Sequence, residues 1–144
     1  MKYIISEAQH KRLFEEEQKI LHIPNIKVFG NDWSLLQKYL ESKGNPPYSI
    51  GGNLKLWNTP IESLGNLISV EGNLLLRGSK IKSLGNLTSV GDNLDLEGTM
   101  IESFENLTYV GGHLDLENTP ISEKYSEKEI RQMVNIRGHI YKKL

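Results

Sequence analysis

Four carboxylates near the centre of the chain are the residues best placed to do chemistry. Asp95 and Glu97 are separated by one residue, and Asp115 and Glu117 repeat that spacing twenty positions later. Side chains two apart on a strand point to the same face, so two neighbouring strands would bring all four carboxylates together. Such a patch could bind a divalent cation, attract a basic protein partner, supply the acid and base of a glycoside hydrolase, or be ordinary solvated surface.

Basic, aromatic and apolar side chains stand at the equivalent positions upstream. Trp57 precedes Arg77 by twenty residues, so the two would lie side by side and could stack, as residues of interface hot spots do. The alternative is that Trp57 packs against the N-terminal region near Tyr48. The residues of the predicted binding surface are Lys55, Trp57, Leu75, Arg77, Asp95, Glu97, His113, Asp115 and Glu117.

A twenty-residue repeat positions these side chains. It reads GGNLKLWNTPIESLGNLISV, EGNLLLRGSKIKSLGNLTSV, GDNLDLEGTMIESFENLTYV and, incompletely, GGHLDLENTPI. Each copy has two leucines separated by one residue, which predicts a short strand with one buried face. Asn or Gly follows, which favours a turn with left-handed backbone, and then Thr or Ser, whose hydroxyl would bond to the turn. Further aliphatic positions, ending in Val70, Val90 and Val110, are predicted to point inward.

Stacked copies of this unit predict an α+β fold: a short right-handed parallel β solenoid with one sheet face. The whole chain, 1–144, is interpreted as a single domain, with an N-terminal cap at 1–49, repeats at 50–122 and a C-terminal cap at 123–144. The N-terminal cap is predicted to contain helices at about 7–21 and 32–43, joined by an extended stretch at 23–30. The C-terminal cap is predicted to contain a helix from Ser126 to about Val134, opened by a capping box, and a final strand at 138–142.

The pattern L-x-L-x-x-[TS]-x-I-x-x-L-x-x-L resembles leucine-rich repeats at the short end of their length range. The phrase V-x-G-x-L-x-L is also similar to the repeats of receptor L domains. Thr or Ser replaces the usual Asn of the leucine-rich ladder, and no repeat has room for a long convex helix. The repeat sequence, together with the flanking segments KYIISEAQHKRL and EKYSEKEIRQMVNIRGHIY, resembles uncharacterised bacteriophage-encoded repeat proteins. That resemblance implies an accessory protein that binds a host or defence protein.

Composition excludes several classes of function. The formal net charge is −1, which argues against binding nucleic acid by phosphate neutralisation. The chain has no cysteine, so it has no thiol nucleophile and no cysteine metal site. The first residues lack the apolar run of a signal peptide, and no segment is suited to a membrane span. We therefore expect a cytoplasmic protein, in the host cell if it is phage-encoded, that uses no cofactor or metal.

A non-catalytic protein-binding module that uses the sheet face is the function these features favour. The alternative is a carbohydrate-binding or carbohydrate-active protein that uses the Asp95, Glu97, Asp115 and Glu117 patch. Catalysis is not expected, because no nucleophile or oxyanion element accompanies the carboxylates. An exposed final strand would also allow a homodimer.

Overall fold

The computed structural model describes residues 19–142. Within that range the α-helices are α1 (Trp33–Ser42), α2 (Pro120–Lys124) and α3 (Glu127–Met133), and Ile26–Phe29 form a 3₁₀ helix. The strands are β1 (Leu21–Ile23), β2 (Tyr48–Ile50), β3 (Leu54–Lys55), β4 (Leu67–Val70), β5 (Leu74–Leu75), β6 (Ser89–Val90), β7 (Leu94–Asp95), β8 (Tyr109–Val110), β9 (Leu114–Asp115), β10 (Asn135–Ile136) and β11 (Ile140–Tyr141).

The strands form two parallel sheets, which makes the fold α+β. Sheet A has the order β1-β2-β4-β6-β8-β10, and sheet B has the order β3-β5-β7-β9-β11. From β2 to β9 the chain alternates between the sheets, and strands that pair within a sheet carry residues twenty positions apart, such as Leu54, Leu74, Leu94 and Leu114. Sheet B contains the leucine strands expected from the sequence.

Sheet A corrects the expectation of a single sheet face. Its strands β4, β6 and β8 end in Val70, Val90 and Val110, which are buried as predicted. The residues before them, such as Ser69 and Ser89, also pair in register. Only one buried residue marks each of the two-residue strands, so the period-2 alternation that identifies a strand is too short to detect there.

The turns after the sheet B strands have the predicted conformation. Positive φ angles are found at Asn58 (51°), Gly78 (69°), Gly98 (72°) and Asn118 (58°). The following threonine hydroxyls donate to the carbonyl three residues earlier, over 2.9 Å from Thr59, 2.7 Å from Thr99 and 2.6 Å from Thr119. The buried Ser79 hydroxyl has no hydrogen-bond partner among the described residues. The predicted hydrogen bond from the Thr or Ser hydroxyl to the turn is therefore present at three of the four positions.

The N-terminal region agrees with the predictions only in part. Asp32 caps α1 by accepting from the backbone N–H groups of Ser34 and Leu35, and Leu36 and Leu40 are buried, as expected. The predicted helix at 7–21 lies mostly outside the described residues. Its expected end is wrong, because Leu21 begins β1, which pairs with β2.

Two physical reasons account for the local differences in this region. Pro24 restricts the residue before it to extended backbone, and the edge of β2 provides that segment with hydrogen-bond partners. The stretch predicted as extended at 23–30 instead contains the 3₁₀ helix. Asn25 caps that helix, and Gly30 ends it with a left-handed φ of 65°.

The C-terminal region follows the prediction more closely. Ser126 and Glu129 form the expected capping box of α3, and β11 pairs with β9 as the predicted last strand. The short helix α2 and the strand β10 were not predicted. The start of α2 combines a Thr119 cap with Pro120, a signal that the repeat pattern obscured.

Membrane insertion through a helix has no candidate in the described part of the chain. No helix between residues 19 and 142 is long and apolar enough to cross a bilayer.

Glu105 provides a test of the equivalence of the turns. It has a left-handed φ of 50° at the position where the preceding repeats have Gly65 (64°) and Gly85 (56°). A left-handed conformation costs a residue with a Cβ roughly 1–2 kcal/mol. We therefore expect Glu105→Gly to raise the free energy of unfolding by up to about 1 kcal/mol in urea denaturation, after the entropic cost of glycine.

The matched control is Gly85→Ala, which should lower the free energy of unfolding by a similar amount. A Cβ on Gly85 would lie 3.6 Å from its nearest neighbour, the Gly65 carbonyl oxygen, so the expected cost is conformational rather than steric. A loss of stability in Glu105→Gly would contradict the equivalence of these turns.

Candidate functional site

The outward face of sheet B brings the predicted site residues together in columns. Strand pairing aligns Lys55 with Leu75, Leu75 with Asp95, Asp95 with Asp115, and Asp115 with Tyr141. This is the register expected from the sequence, including the final strand. Two flanking columns run beside it. One contains Trp57, Arg77, Glu97 and Glu117, and the other contains Asn53, Asn73, Asn93, His113 and His139.

Arg77 reaches across the strands to three of the four carboxylates. Its Nε lies 3.0 Å from Asp95 Oδ2, and its Nη2 lies 2.9 Å from Glu97 Oε2 and 3.7 Å from Asp115 Oδ2. Asp95, and then Glu97 and Asp115, raise the pKa of Arg77 against the opposing effect of desolvation. The carboxylates are therefore neutralised in part by the chain itself, an arrangement that was not predicted from the sequence.

The two aspartates also have a structural role. Asp95 Oδ1 accepts a hydrogen bond from the backbone N–H of Glu97, and Asp115 Oδ1 accepts one from that of Glu117; each N···O distance is 3.0 Å. One oxygen of each aspartate thus holds the backbone just after its strand, and the other oxygen faces Arg77. Glu117 has no cation within ion-pair distance in the described range, so it is the one carboxylate of the four that Arg77 does not neutralise.

Asp115 is the carboxylate most perturbed by its surroundings. Burial raises its pKa, and the neighbouring Asp95 and Glu97 raise it further. The backbone N–H of Glu117 and the guanidinium of Arg77 act in the opposite direction without cancelling the rise. Like charges in adjacent strand positions destabilise a sheet, and this effect persists here despite Arg77.

Metal binding and glycoside hydrolysis both fit this geometry poorly. Oxygens of Asp95, Glu97 and Asp115 lie within 4.8 Å of one another, so these three residues are the candidate ligands for a cation. Calcium takes six or more oxygens, whereas this flat cluster offers few and already contacts Arg77. A glycosidase also needs its acid and base free to face a sugar, whereas Asp95 and Asp115 already contact backbone N–H groups and Arg77.

A side-chain ladder runs along the column that begins with Asn53. Asn53 Oδ1 accepts the backbone N–H of Asn73 over 2.8 Å, and Asn73 and Asn93 repeat the bond to the next strand over 2.9 and 2.7 Å. His113 continues the ladder: its Nδ1 accepts the backbone N–H of His139 over 2.8 Å. His113 was predicted as a binding residue, but this bond gives it a structural role.

Aromatic side chains lie at both ends of the face. His113 stacks on His139 with ring centroids 5.2 Å apart and contacts Tyr141 edge-on at 5.7 Å. The solvent-exposed fraction is 43% for Tyr141 and 50% for Trp57. An open depression of about 220 Å³ lies at the Tyr141 end, and it is lined by Leu75, Asn93, Leu94, Asp95, His113, Asp115 and Tyr141.

The environment of Trp57 differs from both interpretations of the sequence. The cation over its ring is Lys55, whose Nζ lies 5.8 Å from the ring centroid. Arg77 points to the carboxylates instead, because three negative charges attract it more strongly than an exposed ring does. Trp57 is also half-exposed, whereas packing against the N-terminal region would have buried it.

Comparison with known proteins adds no further assignment. No protein-family model, curated protein or solved structure matches this chain.

The ion-pair cluster predicts opposite effects for two substitutions. Arg77→Gln removes the cation from three carboxylates and should lower the free energy of unfolding at pH 7 by about 1 kcal/mol, since the pairs are partly exposed. Asp115→Asn keeps the acceptor for the Glu117 N–H and removes a charge that folding disfavours, so it should preserve or raise stability. Urea denaturation measures both effects, and Arg137→Gln, a change at an exposed arginine outside the cluster, is the control.

The pH dependence follows from the raised pKa of Asp115. The stability that comes from a raised carboxyl pKa is complete below the unfolded value of 3.8 and is lost as pH rises through the folded value. The advantage of Asp115→Asn over the wild type should therefore shrink as the pH falls toward 4. A variant that is less stable than the wild type at pH 7 would contradict this account of the cluster.

The ladder predicts that asparagine can replace His113 but alanine cannot. His113→Asn keeps an acceptor for the His139 N–H, as at Asn53, Asn73 and Asn93, whereas His113→Ala leaves that N–H without its acceptor. We expect His113→Ala to lose about 1 kcal/mol of stability and to speed amide exchange at His139, with a smaller change in His113→Asn. Equal effects of the two substitutions would show that the bond contributes nothing.

Proposed function

We propose that the chain is a non-catalytic protein-binding module and that its partner binds the outward face of sheet B. The observation that carries the proposal is the position of the exposed aromatic residues. Of the large exposed hydrophobic residues between 19 and 142, both aromatic ones, Trp57 and Tyr141, lie on this face. Exposed Trp, Tyr and Arg are the residues most enriched in interface hot spots.

The dimensions and charge of the face favour a protein as the ligand. Five strands spaced about 4.8 Å apart give an open face roughly 20 Å wide, which can form part of a protein interface. Trp57 and Tyr141 mark its two ends, with Leu75 between them. The face carries two basic and four acidic side chains, so a complementary partner would present a basic patch.

Preorganisation also supports this use of the face. The Arg77 cluster and the Asn53 to His113 ladder hold charged and polar side chains in place before binding, which reduces the entropic cost of forming an interface. The carbohydrate alternative has weaker support, because Arg77 already contacts the carboxylates that a sugar would need. Asn93 and His113 likewise use acceptor atoms within the ladder.

The finer architecture and the biological setting are part of the same proposal. Pairing of residues twenty positions apart supports a short solenoid of the leucine-rich-repeat type, capped at both ends. The resemblance to phage-encoded repeat proteins supports a partner from a bacterial host, such as a defence component. Repeat architectures commonly provide extended surfaces for recognition of this kind.

Affinity capture from a bacterial lysate tests the proposal. The bait is compared with a variant in which Asp95, Glu97, Asp115 and Glu117 are amidated, a change that keeps the acceptors of the Asp95 and Asp115 turns. We expect mass spectrometry to find at least one protein enriched by the wild type and reduced at least about tenfold with the variant, which is a loss of roughly 1.4 kcal/mol.

A charge-matched control separates the face from the net charge. Glu41, Glu62, Glu102 and Glu123 are exposed residues outside sheet B, and amidating them gives the same change in charge. This control should retain the partner. Equal loss with both variants, or the same proteins captured by all three baits, would refute the assignment of the face. Thermal unfolding of each bait confirms that it is folded.

A further inference from the structure

The outer edge of β3 offers unpaired backbone groups in the described part of the chain. β3 is the terminal strand of sheet B. On the β5 side, the Leu54 N–H donates to the Asn73 carbonyl and the Leu56 N–H donates to the Leu75 carbonyl, each at an N···O distance of 2.8 Å. Backbone groups alternate in direction along a strand, so those of Lys55 and Trp57 face away from β5. This edge can therefore accept another strand.

The local chain explains why no strand of the described region covers this edge. Sheet A begins one strand earlier than sheet B, with β1. After β1, where the chain would return to sheet B, Asn25 caps the 3₁₀ helix Ile26–Phe29 and Gly30 ends it. A groove of about 450 Å³ remains between that helix and β3, and its lining includes Ile26, Lys27, Trp33 and Lys55.

The charge of the groove indicates its occupant. Among the described residues, its lining includes two lysines, Lys27 and Lys55, and no carboxylate. Ile26, which is buried, and Trp33, which is partly buried, also line the groove, and Trp57 lies next to Lys55 on the adjoining face. An extended segment with alternating acidic and apolar residues matches both the row of backbone groups and the two cations.

We propose that this groove binds an extended acidic peptide segment of a partner protein, which adds to sheet B as a strand along the outer edge of β3. The groove shares Lys55 with the outward face, but it differs from that face because it also uses backbone groups of β3 and Lys27, which lies outside the face. The backbone bonds provide affinity, and the two lysines select for acidic sequence. Second copies of the chain fit less well, since the opposite edge of sheet B presents His139, Tyr141 and Lys142 rather than carboxylates.

Fluorescence anisotropy with a labelled heptapeptide that alternates valine and glutamate tests the proposal on the full chain. We expect saturable binding that falls at least about threefold in Lys27→Gln/Lys55→Gln and weakens with salt. Lys80→Gln/Lys82→Gln, a change at two exposed lysines away from the groove, should bind like the wild type. A peptide with lysine in place of glutamate should bind more weakly than the acidic one.

N-methylated peptides test for strand addition. Methylation of alternate residues blocks one edge of the peptide, so one of the two alternating sets should abolish binding and the other should preserve it. Amide exchange at Lys55 and Trp57 should also slow on binding. Equal effects of the two methylated sets, indifference to the lysine variants, or no binding at about 1 mM protein would overturn the proposal.

Two further outcomes would assign the edge to a different occupant and overturn the proposal. Peptide binding that appears only after Glu15, Glu16 and Glu17 are replaced by glutamine would identify the chain's own acidic run. Self-association lost in Lys27→Gln/Lys55→Gln would identify a second copy. The variant with Asp95, Glu97, Asp115 and Glu117 amidated should still bind the peptide, which distinguishes this groove from the proposed face.

Discussion

In-register pairing of parallel strands is the constraint on which the rest of the structure depends. It places Leu54, Leu74, Leu94 and Leu114 over one another and so produces a continuous core from short strands. The same pairing means that equivalent backbone N–H and C=O groups need a hydrogen-bond partner in every repeat. Asparagine side chains provide that partner along one column of sheet B, and threonine hydroxyls provide it in the turns. Buried polar groups that are bonded in this way stabilise the structure, whereas a group such as the Ser79 hydroxyl, which has no partner within residues 19–142, costs free energy.

Pairing of like residues becomes unfavourable when the repeated residue is charged. Asp95 lies directly beside Asp115 on the neighbouring strand, and without a nearby cation the repulsion between these carboxylates would oppose folding. Arg77, at the end of the preceding strand, offsets part of that repulsion by contacting Asp95, Glu97 and Asp115 together. The result is a charged surface that is largely fixed by internal ion pairs, with Trp57 and Tyr141 exposed at its ends. A partner would therefore meet three carboxylates that Arg77 holds in place and a fourth, Glu117, that has no ion-pair partner in the described range.

The repeat made several features predictable from sequence, and local competition explains the others. The positions of Leu54 and Asn58 follow from counting, because a twenty-residue spacing determines both register and turn. Tyr141 lies twenty-six residues after its partner Asp115 and was placed by the predicted final strand at 138–142. Sheet A was missed because a single valine is too weak a signal for a strand. The start of β1 depended on the available edge of β2, and the partner of Arg77 depended on side-chain conformations. Neither of these can be read from residue spacing, since both arise from groups distant in sequence.

The central claim, that the outward face of sheet B is a partner surface, is tested most directly by site-specific photo-crosslinking. Benzoylphenylalanine replaces Leu75, at the middle of the face, or Lys82, an exposed residue outside sheet B, and each protein is irradiated in a bacterial lysate. The account predicts a discrete crosslinked protein from position 75 that is absent from position 82 and is suppressed by excess wild-type chain. The same products from both positions, or none from position 75, would contradict it.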